Sequence, residues 1–542
     1  MTDCDGHDAR VKSCIPAMLR ERARLQPDDT AFTFVDYEQD WEGVSESLTW
    51  SQLYRRVRSV AQALSVRGST GDRAVILAPH GPEYVAAFLG AMQAGLIAVP
   101  LSLPLGGSSD ELVHAVLRDT SPAVILTTSA VVGSVKKYVD SHSGGSAPLI
   151  VYVDWLDLDC RKESGDEREG WPTTAYLQYT SGSTRPPAGI VVSHSNLLAN
   201  FAQMMSDYFG ERGKVVPQGT TVVSWLPFDH NMGLMLGICA PILGGFRAVL
   251  MSPASFLQRP VRWIHLLARN RGVWSAAPSF AYELVARTTS DTDMAGIDLR
   301  HVRGILDSSE RINVGSLARF TKRFARFNLP ATVIRPTYGL PEATAYVATR
   351  RPACSPQIFR FESEKLSAGQ ARRRRDGTAL ISYGIPWSPA VRIVNPDSRI
   401  ECPPQTAGEI WVHGDNVAMG YWHNQQDTER TFQGRLRAPS PGTPEGPWLR
   451  TGDLGFFFDA ELFIMGRIRD LLIVDGPNRY PGKVPPSAPC RRHTENLVAI
   501  GDQRRDVSRE DLTDPRGRLS DFLPSRATPP RNGESIPYKL SG

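Results

Sequence analysis

At 542 residues, 41% hydrophobic and 22% charged, the sequence has room for about three or four domains and the composition of a globular protein, which excludes a collagenous or disordered chain. Sixty-one Lys and Arg against 57 Asp and Glu leave a net charge of +4, too small to make an electrostatic case for nucleic-acid binding. Seven cysteines with no CxxC pair offer neither a zinc site nor a disulfide framework, and the polar opening MTDCDGHDAR is no secretory signal, so a reduced, cytoplasmic chain is expected.

The N-terminal part alternates strands and helices. Ala31–Val35 predicts a strand, Trp50–Arg67 an amphipathic helix, Ala74–Leu77 a strand, Pro82–Ala94 a helix and Ile97–Pro100 a strand. Ala123–Thr127 and Leu149–Val153 continue the series, which implies a parallel sheet covered on both faces. The alternation resumes with helix Ser195–Tyr208, strand Thr221–Trp225, helix Met232–Ala240, strand Ala248–Met251 and helix Pro260–Arg269. Two apolar stretches, Tyr84–Leu105 and Met232–Met251, approach bilayer length. Gln93, Pro241, Gly244, Gly245 and Arg247 break them, and each reads as a buried helix turning into a buried strand, not an integral membrane segment. From Ala390 to Gly414, VRIV, a turn at Asn395-Pro396-Asp397 and GEIWVHG predict antiparallel strands of a smaller β-rich unit. Beyond Gly482 the chain turns poor in apolar residues and rich in Pro and Arg, with Asn496–Ile500 its one strand-like run.

Four motifs carry the chemistry. Leu177–Gly189 (LQYTSGSTRPPAG) crowds hydroxyls around Gly182, a nest suited to phosphate oxygens but not a Walker A loop, since no GK[ST] follows. Pro336–Thr344 (PTYGLPEAT) spaces Tyr338 and Glu342 across a Gly turn, Trp448–Gly455 (WLRTGDLG) places Asp453 in a tight turn, and Glu461–Gly476 sets Arg467 and Asp470 between strands. No G-x-S-x-G or H-E-x-x-H supports a serine hydrolase or zincin. Arg372–Arg375 reads as a solvated loop in preference to a nucleic-acid patch, with contact to an acidic partner as the intermediate alternative.

Together the four motifs resemble the adenylate-forming superfamily of acyl-CoA synthetases, luciferases and nonribosomal-peptide adenylation domains. Within it, YLQYTSGSTRPPAGIVVSH, SWLPFDHNMGLMLGICAPILGG, FLQRPVRW and IRPTYGLPEATAYVATR resemble the fatty acyl-AMP ligases, as do Arg185 and Ala188 where the wider superfamily carries Gly and Lys. The likeness spans residues 12–481. It implies an α/β fold: an AMP-binding N-terminal domain, residues 1–467, of two αβαβα-type subdomains and a β-rich subdomain at 390–467. A family insertion would fill 351–378, and a shortened α+β domain residues 468–542.

The implied reaction joins ATP and a long-chain fatty acid into an acyl-adenylate with release of pyrophosphate. The acyl group then goes to an acyl carrier protein of a polyketide synthase or lipid biosynthesis system. The resemblance puts Thr180, Ser181, Gly182, Ser183 and Thr184 on the phosphates, and Thr184 with Glu342 on Mg²⁺, an oxygen-ligand set suited to a hard cation. It puts Asp453 on the ribose with Arg467 beside it, and Ser309, Glu310, Thr337, Tyr338 and Gly339 around adenine. His230 would sit near the forming acyl phosphate, with Met232, Met235, Ser275, Ala277 and Phe280 along the acyl tunnel.

The chain departs from that pattern in places. Asp229 and Asn231 stand where an aromatic and an acid are usual, which predicts extra negative charge beside His230; Asp307-Ser308 replaces a Ser-Gly-like pair, and Pro341 precedes Glu342. The last residues, ESIPYKLSG, resemble a final motif in which a catalytic lysine follows Ser-Gly, and Lys539 is out of register for that role. A frameshifted or truncated end is the expectation and a genuinely shortened family member the alternative, with an adenylation rate lower by about 10²–10³. A catalytically impaired homologue that binds ATP or acyl chains, and a fatty acyl-CoA ligase, are the alternative readings.

Overall fold

The computed structural model describes residues 14–103, 108–140, 147–159, 170–180, 187–309, 312–350 and 355–470. The strands, in chain order, are β1 (Thr30–Asp36), β2 (Val44–Thr49), β3 (Arg73–Ile76), β4 (Ile97–Pro100), β5 (Val124–Thr127), β6 (Leu149–Tyr152), β7 (Thr174–Thr180) and β8 (Ala188–Ser193). After these come β9 (Thr221–Ser224), β10 (Arg247–Met251), β11 (Val273–Ala277), β12 (Val302–Asp307), β13 (Ile334–Tyr338) and β14 (Ala348–Thr349). The remainder are β15 (Ile358–Phe361), β16 (Thr378–Ile381), β17 (Ala390–Val394), β18 (Gly408–His413), β19 (Leu449–Phe458) and β20 (Glu461–Arg467).

A six-stranded sheet runs β6-β5-β3-β4-β7-β8 and an eight-stranded one β14-β13-β12-β11-β9-β10-β1-β2. Their inner strands are parallel and buried on both faces, which is why RAVI, IAVP and VILT read as continuous apolar runs. Antiparallel partners close three edges: β8 on β7, β2 on β1 and β14 on β13. The first expected strand does not join the sheet of its sequence neighbours. Its residues Phe32–Val35 pair in parallel with Ala248–Met251, in the other sheet.

The expected helices form where local chemistry marks them. Thr49 and Gln52 make a capping box at the start of Trp50–Ser65, whose Leu53, Val57, Val60 and Leu64 are buried along one face. That face packs on helix Pro82–Gln93 at Gly90, where a Cβ would lie 2.5 Å from Val60 Cγ1. The second apolar stretch is a continuous rod: an α-turn at Asn231–Leu234, a π-turn at Met235–Cys239, and an α-turn at Ala240–Gly244. Gly245, at φ +67°, ends it before β10, as the Gly signal predicted. Among the described residues no helix is long and apolar enough to cross a membrane.

The β-rich part is an antiparallel sheet, β17-β18-β19-β20, and β15 pairs with β16 beside it. Phe361 of β15 meets Phe456 at 5.1 Å and Phe463 at 5.4 Å, so the segment expected as an insertion is anchored to that sheet by an aromatic cluster. Within it Arg374 pairs with Asp376 at 2.8 Å and Arg373 lies 4.7 Å from the Phe359 ring, with Arg372 largely exposed. That is a solvated, locally paired loop. Of the expected C-terminal domain only Ile468–Asp470 is described; Asn496–Ile500 and the closing ESIPYKLSG lie outside the described residues.

Candidate active site at the strand ends

Thr180 and Tyr338 each stand at the carboxyl end of a strand, where α/β sheets place their ligand crevices. At the end of β13 Tyr338 donates its hydroxyl to Asp453 Oδ2 at 2.7 Å. Across the β19–β20 ladder Asp453 is in register with Arg467, whose Nε lies 3.5 Å from Asp453 Oδ1. Residues from three motifs, far apart in sequence, thus meet on one carboxylate. Burial pushes the Tyr338 phenol well above its usual range, so it remains a donor.

Alternation along β13 sends Thr337 the other way. It is buried, its Oγ1 donates to the Arg335 carbonyl at 3.3 Å, and Tyr208 Oη stands 3.5 Å from it. Gly339 follows because nothing larger fits: a Cβ there would lie 1.8 Å from the Ala345 carbonyl oxygen. Pro341 opens the turn Pro341–Ala343, where its fixed φ is tolerated, and Glu342 Oε1 accepts from Tyr421 Oη at 2.9 Å. Tyr421 carries no sequence signal of its own; only the fold brings it to Glu342.

Thr180 ends β7 opposite Ala188. Ser181, Gly182, Ser183 and Thr184, together with Glu310, lie outside the described residues. Two residues earlier the buried Gln178 donates Nε2 to the Asp229 carbonyl, tying the strand that leads into the hydroxyl loop to the residue before His230. His230 is exposed and caps Asn231–Leu234, its Nδ1 accepting from the Met232 N–H at 3.4 Å.

The Asp229 carboxyl is buried, which disfavours the extra negative charge expected beside His230. Its carboxyl turns inward to Ser102 and near Tyr84, and burial raises its pKa despite that hydroxyl. His80 occupies the same seam, stacked 3.5 Å from Phe228 with Nε2 3.2 Å from the Leu226 carbonyl oxygen; burial lowers its pKa to about 4. The last departure, Asp307, is buried at the end of β12 and bound by the hydroxyls of Ser279 and Ser309. Ser309 therefore spends its hydroxyl proton inside the protein.

The acyl-tunnel candidates separate. Met232, Met235 and Ala277 are buried in the core, and Phe280 packs 6.3 Å from Trp225. Ser275 donates to the Val223 carbonyl at 2.6 Å and accepts from Trp263 Nε1 at 2.9 Å. It also lines an apolar cavity of about 30 Å³ with Met204, Tyr208, Leu236, Ala240 and Trp274, which the other four do not reach. Tyr208 is thus shared between that cavity and Thr337.

The AMP-binding enzyme family matches residues 19–422. The long-chain-fatty-acid–AMP ligase FadD28 of Mycobacterium tuberculosis is 58% identical over 501 residues, covering 90% of this chain and 86% of that one. The putative fatty-acid–CoA ligase FadD21 of Mycobacterium leprae is 58% identical over 471 residues, 86% and 81% of the two chains. Among solved structures, the fatty acyl-adenylate ligase from Legionella pneumophila in complex with acyl adenylate and pyrophosphate aligns with a TM-score of 0.76 at 30% identity, covering 84% of this chain and 78% of that one. The match across most of the chain places it in the AMP-binding enzyme family of adenylate-forming enzymes.

Proposed function

We propose that the chain is a fatty acyl-AMP ligase that activates a long-chain fatty acid with ATP and hands the acyl group to the phosphopantetheine thiol of an acyl carrier protein. The observation that carries this reading is the meeting of Tyr338 and Arg467 on the Asp453 carboxylate; Tyr208, which lines the apolar cavity, stands 3.5 Å from Thr337 on the other face of the same strand.

In the reaction a fatty carboxylate oxygen bonds to the α-phosphorus of ATP while the bond from that phosphorus to the pyrophosphate oxygen breaks. Two anions must approach, so positioning and neutralisation carry the catalysis. Asp453 accepts from the ribose hydroxyls, Arg467 adds a donor, and Thr337, Tyr338, Gly339 and Ser309 border the adenine. The loop from Thr180 through Thr184 takes the phosphates. His230, exposed at the start of its helix, faces the forming acyl phosphate. Glu342 offers a carboxylate and Thr184 a hydroxyl, hard oxygen donors that fit Mg²⁺; when bound, the ion neutralises phosphate charge.

The competing reading, a fatty acyl-CoA ligase, draws on relatives such as FadD21 of Mycobacterium leprae, a putative fatty-acid–CoA ligase. The segment anchored through Phe361 favours the AMP ligase, because it fits the insertion that the family uses to keep coenzyme A from reaching the adenylate. Pyrophosphate release with ATP and laurate or palmitate, with and without coenzyme A, tests both. Pyrophosphate without acyl-CoA is expected. Acyl-CoA formation would overturn the reading, and saturable ATP binding without pyrophosphate would identify an inactive homologue.

A further inference from the structure

Asp307 ends β12 with its side chain 1% exposed. Ser279 Oγ donates to Oδ2 at 2.9 Å and Ser309 Oγ to Oδ1 at 2.9 Å. Each hydroxyl oxygen is itself occupied: Ser309 Oγ accepts from the Ser279 N–H at 2.6 Å, and Ser279 Oγ from the Asn313 N–H at 3.2 Å. Both serine protons therefore point at position 307, which must be an acceptor on both sides. A carboxylate meets that demand, whereas an Asn amide or a protonated acid turns a donor towards one of the serines.

The network joins three segments: the end of β12, the first turn of helix Ser279–Thr288, and the approach to helix Val314–Ala325. Pro278 caps the first helix with no side-chain bond, so Ser309 supplies that bond from another segment. The neighbours of Asp307 in the sheet, Ala277 and Pro336, bring no titratable group. Among the described residues the Tyr282 phenol senses its charge, and Tyr282 Oη donates to the Leu306 carbonyl.

We propose that Asp307, as a carboxylate, is a positioning residue for the nucleotide pocket: it holds Ser309 on one side and the first turn of Ser279–Thr288 on the other, without touching the nucleotide itself. The proposal rests on the reading of Ser309, Thr337 and Tyr338 as the adenine pocket. Burial, opposed by the two hydroxyls, pushes the pKa of Asp307 up to about 7. Proton uptake near neutrality reverses one serine bond, so nucleotide affinity falls as pH drops through that value, and nucleotide binding in turn releases a proton.

The test is calorimetric titration of the full chain with α,β-methylene-ATP at pH 6, 7 and 8, comparing wild type with Asp307→Asn. The wild type should bind about tenfold more weakly at pH 6 than at pH 8, and Asp307→Asn weakly at all three. Titration of the ligand's own phosphates is common to both proteins, so their difference isolates position 307. Ser279→Ala supplies a second readout: it removes one stabilising donor and should move the wild-type profile to higher pH. An Asp307→Asn profile parallel to wild type, or an unmoved Ser279→Ala profile, overturns the proposal. Normal nucleotide titrations with no pyrophosphate from any fatty acid would refute the ligase reading alone.

Discussion

Asp453 is where the nucleotide reading is most exposed to experiment. A carboxylate that accepts from Tyr338 and faces Arg467 has lost part of its hydration, so its charge interacts strongly with whatever reaches it. Asp453→Asn keeps the shape and removes the charge. Its pyrophosphate release with ATP and palmitate should fall by about 10², whereas Tyr338→Phe, which deletes one hydrogen bond, should lose less than tenfold. A steady-state assay that found the two variants equal would remove Asp453 from the nucleotide. Asp229 teaches the opposite lesson at the same scale. Its position beside His230 in the chain predicted repulsion at the acyl site. The chain turns at this point, the His230 N–H closing on the Pro227 carbonyl at 3.2 Å, and the acid goes inward to Ser102.

Among the elements, the Gly turns are the least forgiving. Gly339→Ala would set a methyl 1.8 Å from the Ala345 carbonyl oxygen, and that turn leads straight to Glu342. A loss of a few kcal/mol in urea denaturation is expected, with adenylation lost at the same time; an unchanged midpoint would mean the turn gives way freely. The elements themselves were largely legible in the sequence. Ile97–Pro100 forms as predicted to the residue, and Trp50–Arg67, Ala248–Met251 and the VRIV–GEIWVHG pair differ by a residue or two at their ends, because apolar period and capping residues are local signals. The site was legible as motifs, not as geometry. Tyr338, Asp453 and Arg467 could be named from the sequence, whereas Tyr421 on Glu342, Gln178 on the Asp229 carbonyl and Tyr208 beside Thr337 depend on packing between distant segments. For the same reason Met232, Met235, Ala277 and Phe280 could not be told from core residues by composition.

At the scale of the molecule, the seam between the two large sheets carries its own pH dependence. His80 lies between them, and burial lowers its pKa from 6.5 to about 4. The folded state then binds fewer protons than the unfolded chain between those values, so this contribution is complete above pH 6.5 and is lost as pH falls towards 4. Asp307, with its raised pKa, acts in the opposite direction over much of that interval. The difference between variants is therefore the readout: His80→Gln should lose less thermal stability than wild type between pH 6.5 and pH 4, and parallel curves would exclude the effect.

The placement of β1 in the second sheet also bears on how the molecule is made. The six-stranded sheet has all its strands once Ser193 has left the ribosome, but Thr30–Asp36 must wait for Arg247–Met251 before its parallel ladder can close. Until then its apolar residues have the β2 hairpin and the Trp50 ring, 6.3 Å from that of Phe32, to cover them. A segment synthesised among the first is thus secured only after the whole six-stranded sheet, and a nascent chain halted short of Met251 would carry an open sheet edge at its beginning.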